Sequence, residues 1–370
     1  MSAPHSGAPV SSGTSGTAGR IQPIQYLRAL AVLAVVLDHA SLQASMDKYW
    51  GPDALYGWLL AGFSGVDLFF VISGFIITVV TLDAQWRPRV PLGLFAWNRF
   101  VRIVPTMWVA ILSLTAMRLL GSGLGDEPPI WSALFLWPWG PVNPAHIWSV
   151  RQELAFYAVF ALAVFTPVRG ARWLFLAWWL AQVASSFFSP EALGVWADTL
   201  LRPVNIHFGW GVVLGALYLK GWFSAHAWGQ SRWVAHGQTL WFVGVVALIW
   251  ACQWEDPTVL AHKLAIGGLF AALVYASLAV QEAQPGSGAT PGWWARTLGF
   301  LGEASFSIYL FHVLGQSATL RVLAKLAPGL TPGTAVALTA AGSLAFCCLA
   351  YLWIEKPLIA RLRPLYPGTH

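Results

Sequence analysis

In the stretch YLRALAVLAVVLDHA, Arg28 and His39 stand eleven residues apart, and apart from Asp38 everything between them is Ala, Leu or Val. On an α-helix eleven residues make about 1,100° of rotation, close to three whole turns, and a rise of about 16 Å. The two groups therefore share one helix face. A guanidinium binds an anion through paired N–H donors, and a neutral imidazole takes a proton near physiological pH. The plainer account is a snorkelling arginine and a hydrogen-bonded histidine. Asp38 is either a partner that orients His39 or a group facing a polar pocket.

Other stretches carry the same mixture of chemistry and hydrocarbon. In WNRFVRIVP, residues 97–105, Arg99 and Arg102 are three apart and project from nearly the same side of a helix. Such a pair suits a phosphate, and equally suits a positive cap on a helix start. HIWSVRQELAFY, residues 146–157, opens an apolar run with His146, Ser149, Arg151 and Glu153. Glu153 reads as a general base, a hydroxyl-binding acceptor or the ion-pair partner of Arg151. GEASFSIYLFHV, residues 302–313, places Glu303, Ser305, Tyr309 and His312 in one apolar stretch. In GVDLFFVISGF, residues 65–75, Asp67 reads as structural, and Gly65 and Gly74 permit close helix approach. YLWIEKP, residues 351–357, reads as a helix stop at Glu355–Lys356–Pro357. Ionisable groups at membrane depth are costly and mark a site or a pathway by default.

The elements that must position these groups are membrane helices. Only 10% of the 370 residues are charged and 57% are hydrophobic, with 23 tryptophans. A soluble domain carries roughly 25% charge, so this chain is expected to be an all-α polytopic transmembrane bundle. A crossing needs about 20 apolar residues. About ten are expected, near 24–43, 59–81, 103–121, 147–167, 173–189, 204–221, 237–253, 260–281, 298–317 and 334–354. The apolar segment 129–137 is too short to span and is expected to lie in the interface or to re-enter. Residues 1–22 read as a flexible tail, 23–358 as one membrane domain and 359–370 as a short second tail.

Loop charge alternates along this scheme. Arg87, Arg89, Arg99 and Arg102, then Arg169 and Arg172, Lys220 and Arg232, Arg296, and Lys356, Arg361 and Arg363 mark one side. Asp126 and Glu127, then Glu191, Asp198 and Arg202, then Glu255 and Asp256 mark the other. The positive-inside rule puts the basic set, and both termini, in the cytoplasm. Arg321 and Lys325 are the exception. The net charge of +6 is thus topology information and gives no reason for nucleic-acid binding. Cys252, Cys347 and Cys348 sit in apolar segments as small hydrophobes. There is no phosphate-binding glycine loop, no metal-ligand spacing and no serine nucleophile elbow. Residue chemistry alone fits an intramembrane transferase and a secondary transporter of an anionic solute equally well.

Taken in order, these stretches resemble the acyltransferase-3 family of integral membrane O-acyltransferases. The likeness lies in the Arg, ten residues and His of YLRALAVLAVVLDHA, in GVDLFFVISGFIIT, in the Arg-x-x-Arg of NRFVRIVP, in WSVRQELAFY, in SFSIYLFH and in YLWIEKP. It covers most of residues 21–358. The resemblance implies a ten-helix bundle using cytoplasmic acyl-CoA, commonly acetyl-CoA, with no metal. The acceptor it implies is a hydroxyl on a glycan or lipid-linked sugar across a bacterial inner membrane, alongside partner proteins of a polysaccharide pathway. His39 would be the base, with Asp38 and Glu153 as catalytic carboxylates. Arg28, Arg99 and Arg102 would hold the CoA, and Trp148, Ser149, Tyr309 and His312 the acceptor. Arg151 and Gln152 depart from the family's small or acidic residues beside Glu153. The chain's early end after its last crossing fits a member without a fused hydrolase-like domain.

Overall fold

A computed structural model describes residues 21–51, 65–121, 129–136, 142–167, 170–185, 187, 194–222, 260–283 and 292–366. The described chain is helical, with one isolated bridge between Leu82 and Pro88. The helices are α1 (Gln22–Ala44), α2 (Gly65–Thr81), α3 (Leu92–Gly121), α4 (Ile130–Leu134), α5 (Trp148–Phe165), α6 (Ala171–Ser185), α7 (Val195–Leu201), α8 (Ile206–Leu219), α9 (Leu260–Ala283), α10 (Trp293–Leu326), α11 (Pro332–Ala350) and α12 (Lys356–Leu362). Seven helical stretches among these residues are long and apolar enough to cross a membrane, and Gly65–Thr81 and Trp173–Ser185 are shorter apolar helices. They coincide with nine of the ten expected crossings; the remaining one, 237–253, lies outside the described residues.

Local sequence explains several starts. Pro23 sits in the first turn of α1, where a missing N–H costs nothing. Thr331 caps α11 by accepting from the Thr334 amide, with Pro332 following it. Between helices, lipid-soluble segments gain little by hiding hydrocarbon, so close backbone approach and interhelical hydrogen bonds carry the packing. Gly302 of α10 lies against the backbone of Gln25 in α1, where a side chain would have no room. Gly74 of α2 meets the Phe208–Gly211 backbone of α8, and Gly65 meets Ala31, as expected of those two glycines. Farther along, the Gln316 amide donates to the Val36 carbonyl at 2.8 Å, and Gln43 donates to the Gln316 oxygen at 2.5 Å. Phe70, Phe208 and Phe156 stack at 4.2 Å centroid spacing and tie α2, α8 and α5 together. Each such pair is worth about 0.5–1.5 kcal/mol beyond its buried area.

Three elements differ from the sequence reading. α3 begins at Leu92, well before the expected crossing at 103, so Arg99 and Arg102 lie inside a 30-residue helix rather than capping its start. α10 has 34 residues, about 51 Å of helix against a hydrocarbon core of about 30 Å. Arg321 and Lys325 occupy its last two turns, in the length that the core cannot cover, and they remain the exception to the loop alternation. The helix also does not stop at Glu355. Tyr351–Glu355 forms a π-helical turn and α12 follows directly, with Pro357 in its first turn. Proline has no N–H for the preceding turn and crowds the carbonyl four residues back; a wider turn accommodates it without ending the helix. Within the short segment expected at 129–137, Ile130–Leu134 is a five-residue helix, and Leu134 accepts a hydrogen bond from the Trp108 indole of α3 at 2.7 Å.

Candidate active site

A cavity of about 580 Å³ lies among α1, α2, α3, α5, α10 and α12. Helical spacing decides what reaches it. α1 contributes Gln25 and Arg28, three apart; α5 contributes Ser149, Glu153 and Tyr157, four apart; the last helix and the turn after it contribute Lys356, Ile359 and Arg363. α3 supplies Asn98, Arg99 and Arg102, and α10 supplies Glu303, Ser305, Phe306 and Tyr309. Five cations, Arg28, Arg99, Arg102, Lys356 and Arg363, thus face one space with two carboxylates, Glu153 and Glu303. Lys356 and Arg363 are exposed at the rim, the three arginines inside are partly buried, and Ser149, Ser305 and Tyr309 are buried. Charge is therefore graded from a cationic mouth to a hydroxyl-lined depth.

The paired-arginine expectation holds as geometry, but the two arginines are engaged differently. Arg102 Nη1 donates to Glu355 Oε1 at 2.7 Å. Glu355 is fully buried, and its other oxygen accepts from the Ser307 amide at 3.0 Å and the Ser307 hydroxyl at 2.6 Å. Arg99 instead lies over the Tyr157 ring at 5.6 Å, and its Nε is buried without a hydrogen-bond partner. Arg28 donates to Gln25 Oε1 at 3.4 Å. Glu355 was thus misread as a stop signal. The sequence did carry a clue, because an acid at the end of the last apolar run is costly unless it is paired.

Glu153 is held from two sides. Its Oε1 accepts from the Ser73 hydroxyl at 2.7 Å and the Tyr157 hydroxyl at 2.5 Å, and those two hydroxyls lie 3.0 Å apart. Ser73 was not singled out in the sequence, since one serine in an apolar helix gives no signal of its own. Arg151 and Gln152 do not line the cavity. Gln152 accepts from the Asn205 side chain at 3.0 Å, so the departure from the family's pattern falls on the opposite face of α5. Trp148 also lies off the cavity, against Phe70 at 6.3 Å and beneath the Arg202 guanidinium at 6.0 Å. The acceptor contact expected of Trp148 therefore does not fall on this cavity. Asp67 stands 3.5 Å from His207 Nε2, away from the cavity.

His39 does not line the cavity either. Its side chain is 32% exposed, and Nδ1 lies 3.0 Å from the Val35 carbonyl and 3.5 Å from Asp38 Oδ2. The layer between is polar. The His39 and His312 rings meet edge to face at 4.8 Å, and His312 and His146 at 4.9 Å. Tyr309, 5.9 Å from the His312 ring, donates to the His146 carbonyl at 2.6 Å and shares a 2.5 Å hydrogen bond with Ser149. Ser149 and Tyr309 both line the cavity.

Most of the chain matches known proteins. Residues 21–352 match the model of an acyltransferase domain, that of the acyltransferase-3 family. The chain belongs to that family of integral membrane O-acyltransferases. Within it, the chain is similar to the exopolysaccharide production protein ExoZ of Rhizobium meliloti, 31% identical over 82% of this chain and 91% of the relative. It also resembles the peptidoglycan O-acetyltransferase OatA of Listeria monocytogenes, 42% identical over 15% of this chain and 9% of that protein. The O-acetyltransferase OatA of Staphylococcus aureus is 26% identical over 29% of this chain and 21% of its own length. No solved structure matches. The region matched to the acyltransferase-3 family holds Arg28, His39, Arg99, Arg102, Glu153, Tyr309 and His312, whereas Glu355, Lys356 and Arg363 lie beyond it.

Proposed function

We propose that the protein transfers an acyl group, acetyl in the first instance, from acyl-CoA to a hydroxyl of a glycan or lipid-linked sugar, with His39 as general base. The observation that carries this reading is the graded cavity: a cationic rim and arginine-lined interior leading to buried hydroxyls. The phosphates of CoA are the anions such a mouth would hold, and Arg99, with an unmatched buried Nε, is the first candidate to bind them. Arg28 and Arg102 flank the path inward, and Lys356 and Arg363 form its entrance. The Ser305 hydroxyl lines the cavity, fully buried and without a hydrogen-bond partner, and so is placed to donate to a thioester oxygen.

A sugar hydroxyl is far less acidic than neutral water chemistry requires, so transfer needs a base. His39 fits that task. The Val35 carbonyl and the Asp38 carboxylate can only accept, so Nδ1 carries the ring proton and Nε2 is free to act as a base. Names among the relatives favour a glycan acceptor, since one acts in exopolysaccharide production and the others on peptidoglycan or by O-acetylation. The loop charges support a cytoplasmic donor side, cytoplasmic termini and a bacterial inner-membrane location. Polysaccharide-pathway proteins are the partners this acceptor would imply.

The test is incubation of the purified protein with labelled acetyl-CoA and a panel of hexose oligosaccharides, scoring CoA release and labelled glycan. Labelled product from wild-type protein and none from His39→Ala supports the assignment. Uptake of intact solute without CoA release would replace it with transport.

A further inference from the structure

We propose that Lys356 and Arg363, which line the mouth of the cavity on the segment after the π-helical turn, recognise the 3′-phosphate of the CoA donor and so set a preference for CoA over donors that lack that group. The inference rests on the acyl-transfer reading and adds which part of the donor each group of cations holds.

Tyr351, Glu355, Ile359 and Arg363 stand four residues apart. In an unbroken α-helix twelve residues turn about 1,200°, about 120° beyond three whole turns, so the first and last would face different ways. The π-helical turn Tyr351–Glu355 is wider and takes up part of that excess. Tyr351, Lys356, Ile359 and Arg363 all line the cavity, while Glu355 in the same run reaches Arg102. Farther on, the Tyr366 hydroxyl lies 2.7 Å from the point that a side chain on Gly93 would occupy. That sets the end of the segment against α3, the helix of Arg99 and Arg102. Lys356 and Arg363 are exposed, and neither makes an ion pair among the described residues. Arg361 is exposed on the same helix but does not line the cavity. All three lie beyond the residues matched to the family, so this rim is a feature of the chain's own closing segment.

The anionic end of CoA has two parts on one ribose: a diphosphate that leads into the pantetheine arm, and a phosphate monoester at the 3′ position. The arm has to enter the cavity, so the diphosphate lies inward and the monoester stays at the mouth. Arg102 is committed to Glu355, which leaves Arg28 and Arg99 inside for the diphosphate. Lys356 and Arg363 then face the monoester, which carries about −1.5 to −2 charge near neutral pH and three acceptor oxygens. A flexible ammonium and a guanidinium fork at a solvated rim suit such a group, because little desolvation is needed to reach it.

The test compares acetyl-CoA with acetyl-3′-dephospho-CoA, two donors with the same diphosphate, arm and thioester. Affinity is measured by calorimetry on the full-length purified chain in an uncharged detergent. Wild-type protein should bind acetyl-CoA about tenfold more tightly, since two solvent-screened pairs contribute up to about fivefold each. Lys356→Ala with Arg363→Ala should bring the two affinities together by weakening acetyl-CoA alone. Arg361→Ala should keep the wild-type preference. Equal affinities in the wild type would overturn the assignment, and would be the result if these cations instead held the phosphate of a lipid headgroup. A preference that survives the double change, or that Arg361→Ala abolishes as fully, would also overturn it. If the double variant binds neither donor, Arg363→Gln decides: a reduced preference supports the assignment and an intact one rejects it. A wild-type chain that binds neither donor would instead overturn the acyl-CoA reading, and the rim assignment with it.

Discussion

Replacing Glu355 with alanine probes the pair that sets Arg102. The carboxylate is fully buried, while the Arg102 side chain is 29% exposed. Three donors lose their acceptor: Arg102 Nη1 at 2.7 Å, the Ser307 amide at 3.0 Å and the Ser307 hydroxyl at 2.6 Å. Removing one member of a buried ion pair costs about 3–5 kcal/mol, mainly through the charge left behind. Arg102 has access to solvent, so the expected loss lies at the lower end, about 3 kcal/mol. Arg102→Ala alone strands the buried carboxylate and should cost at least as much, because Glu355 has no route to water. The double change removes both charges and should cost less than the sum, with a coupling of about 1.5–3 kcal/mol for the lost charge-assisted bond. The assay is a double-mutant cycle on unfolding in mixed micelles, using full-length protein. Single effects that add to within about 0.5 kcal/mol would refute the reasoning, since that is the behaviour of independent sites.

Other perturbations follow from the same geometry. Arg99→Ala combined with Arg28→Ala should weaken acetyl-CoA binding by about tenfold or more, read by calorimetry at moderate salt, since one lost charge-assisted bond is worth about 1.5–3 kcal/mol. Ser73→Ala should leave expression intact and lower turnover by CoA release, because Glu153 loses one of its two hydroxyl donors. Gly302→Val should cut the yield of folded protein on size-exclusion chromatography, as the side chain has to enter the Gln25 backbone. Trp148→Phe should leave donor affinity and turnover close to wild type, since Trp148 lies off the cavity.

Sequence reading reached the helices and the polar residues, and physics explains where it stopped. The eleven-residue spacing of Arg28 and His39 set their shared helix, and Arg28 does face the cavity. What spacing within one helix cannot show is what stands beside it. The His312 and His146 rings come from distant segments, and only tertiary packing places them between His39 and the cavity. Glu355 was misread because Lys-Pro after an acid is a common stopping pattern, whereas its hydrogen-bond partners, Arg102 in α3 and Ser307 in α10, are remote in sequence. Ser73 was invisible for a similar reason, as its role exists only opposite Glu153 and Tyr157. Gly65 and Gly74, by contrast, were legible because a missing side chain in an apolar helix has few other uses.

Among the described residues, His39 is not part of the cavity lining, and the Tyr309 and Ser149 side chains in that lining are hydrogen-bonded to each other and to the His146 carbonyl. Vesicles loaded with protein should hold a potassium or pH gradient as tightly as empty ones. On the proposed reading, acyl transfer would then proceed at this station without short-circuiting the membrane that holds it.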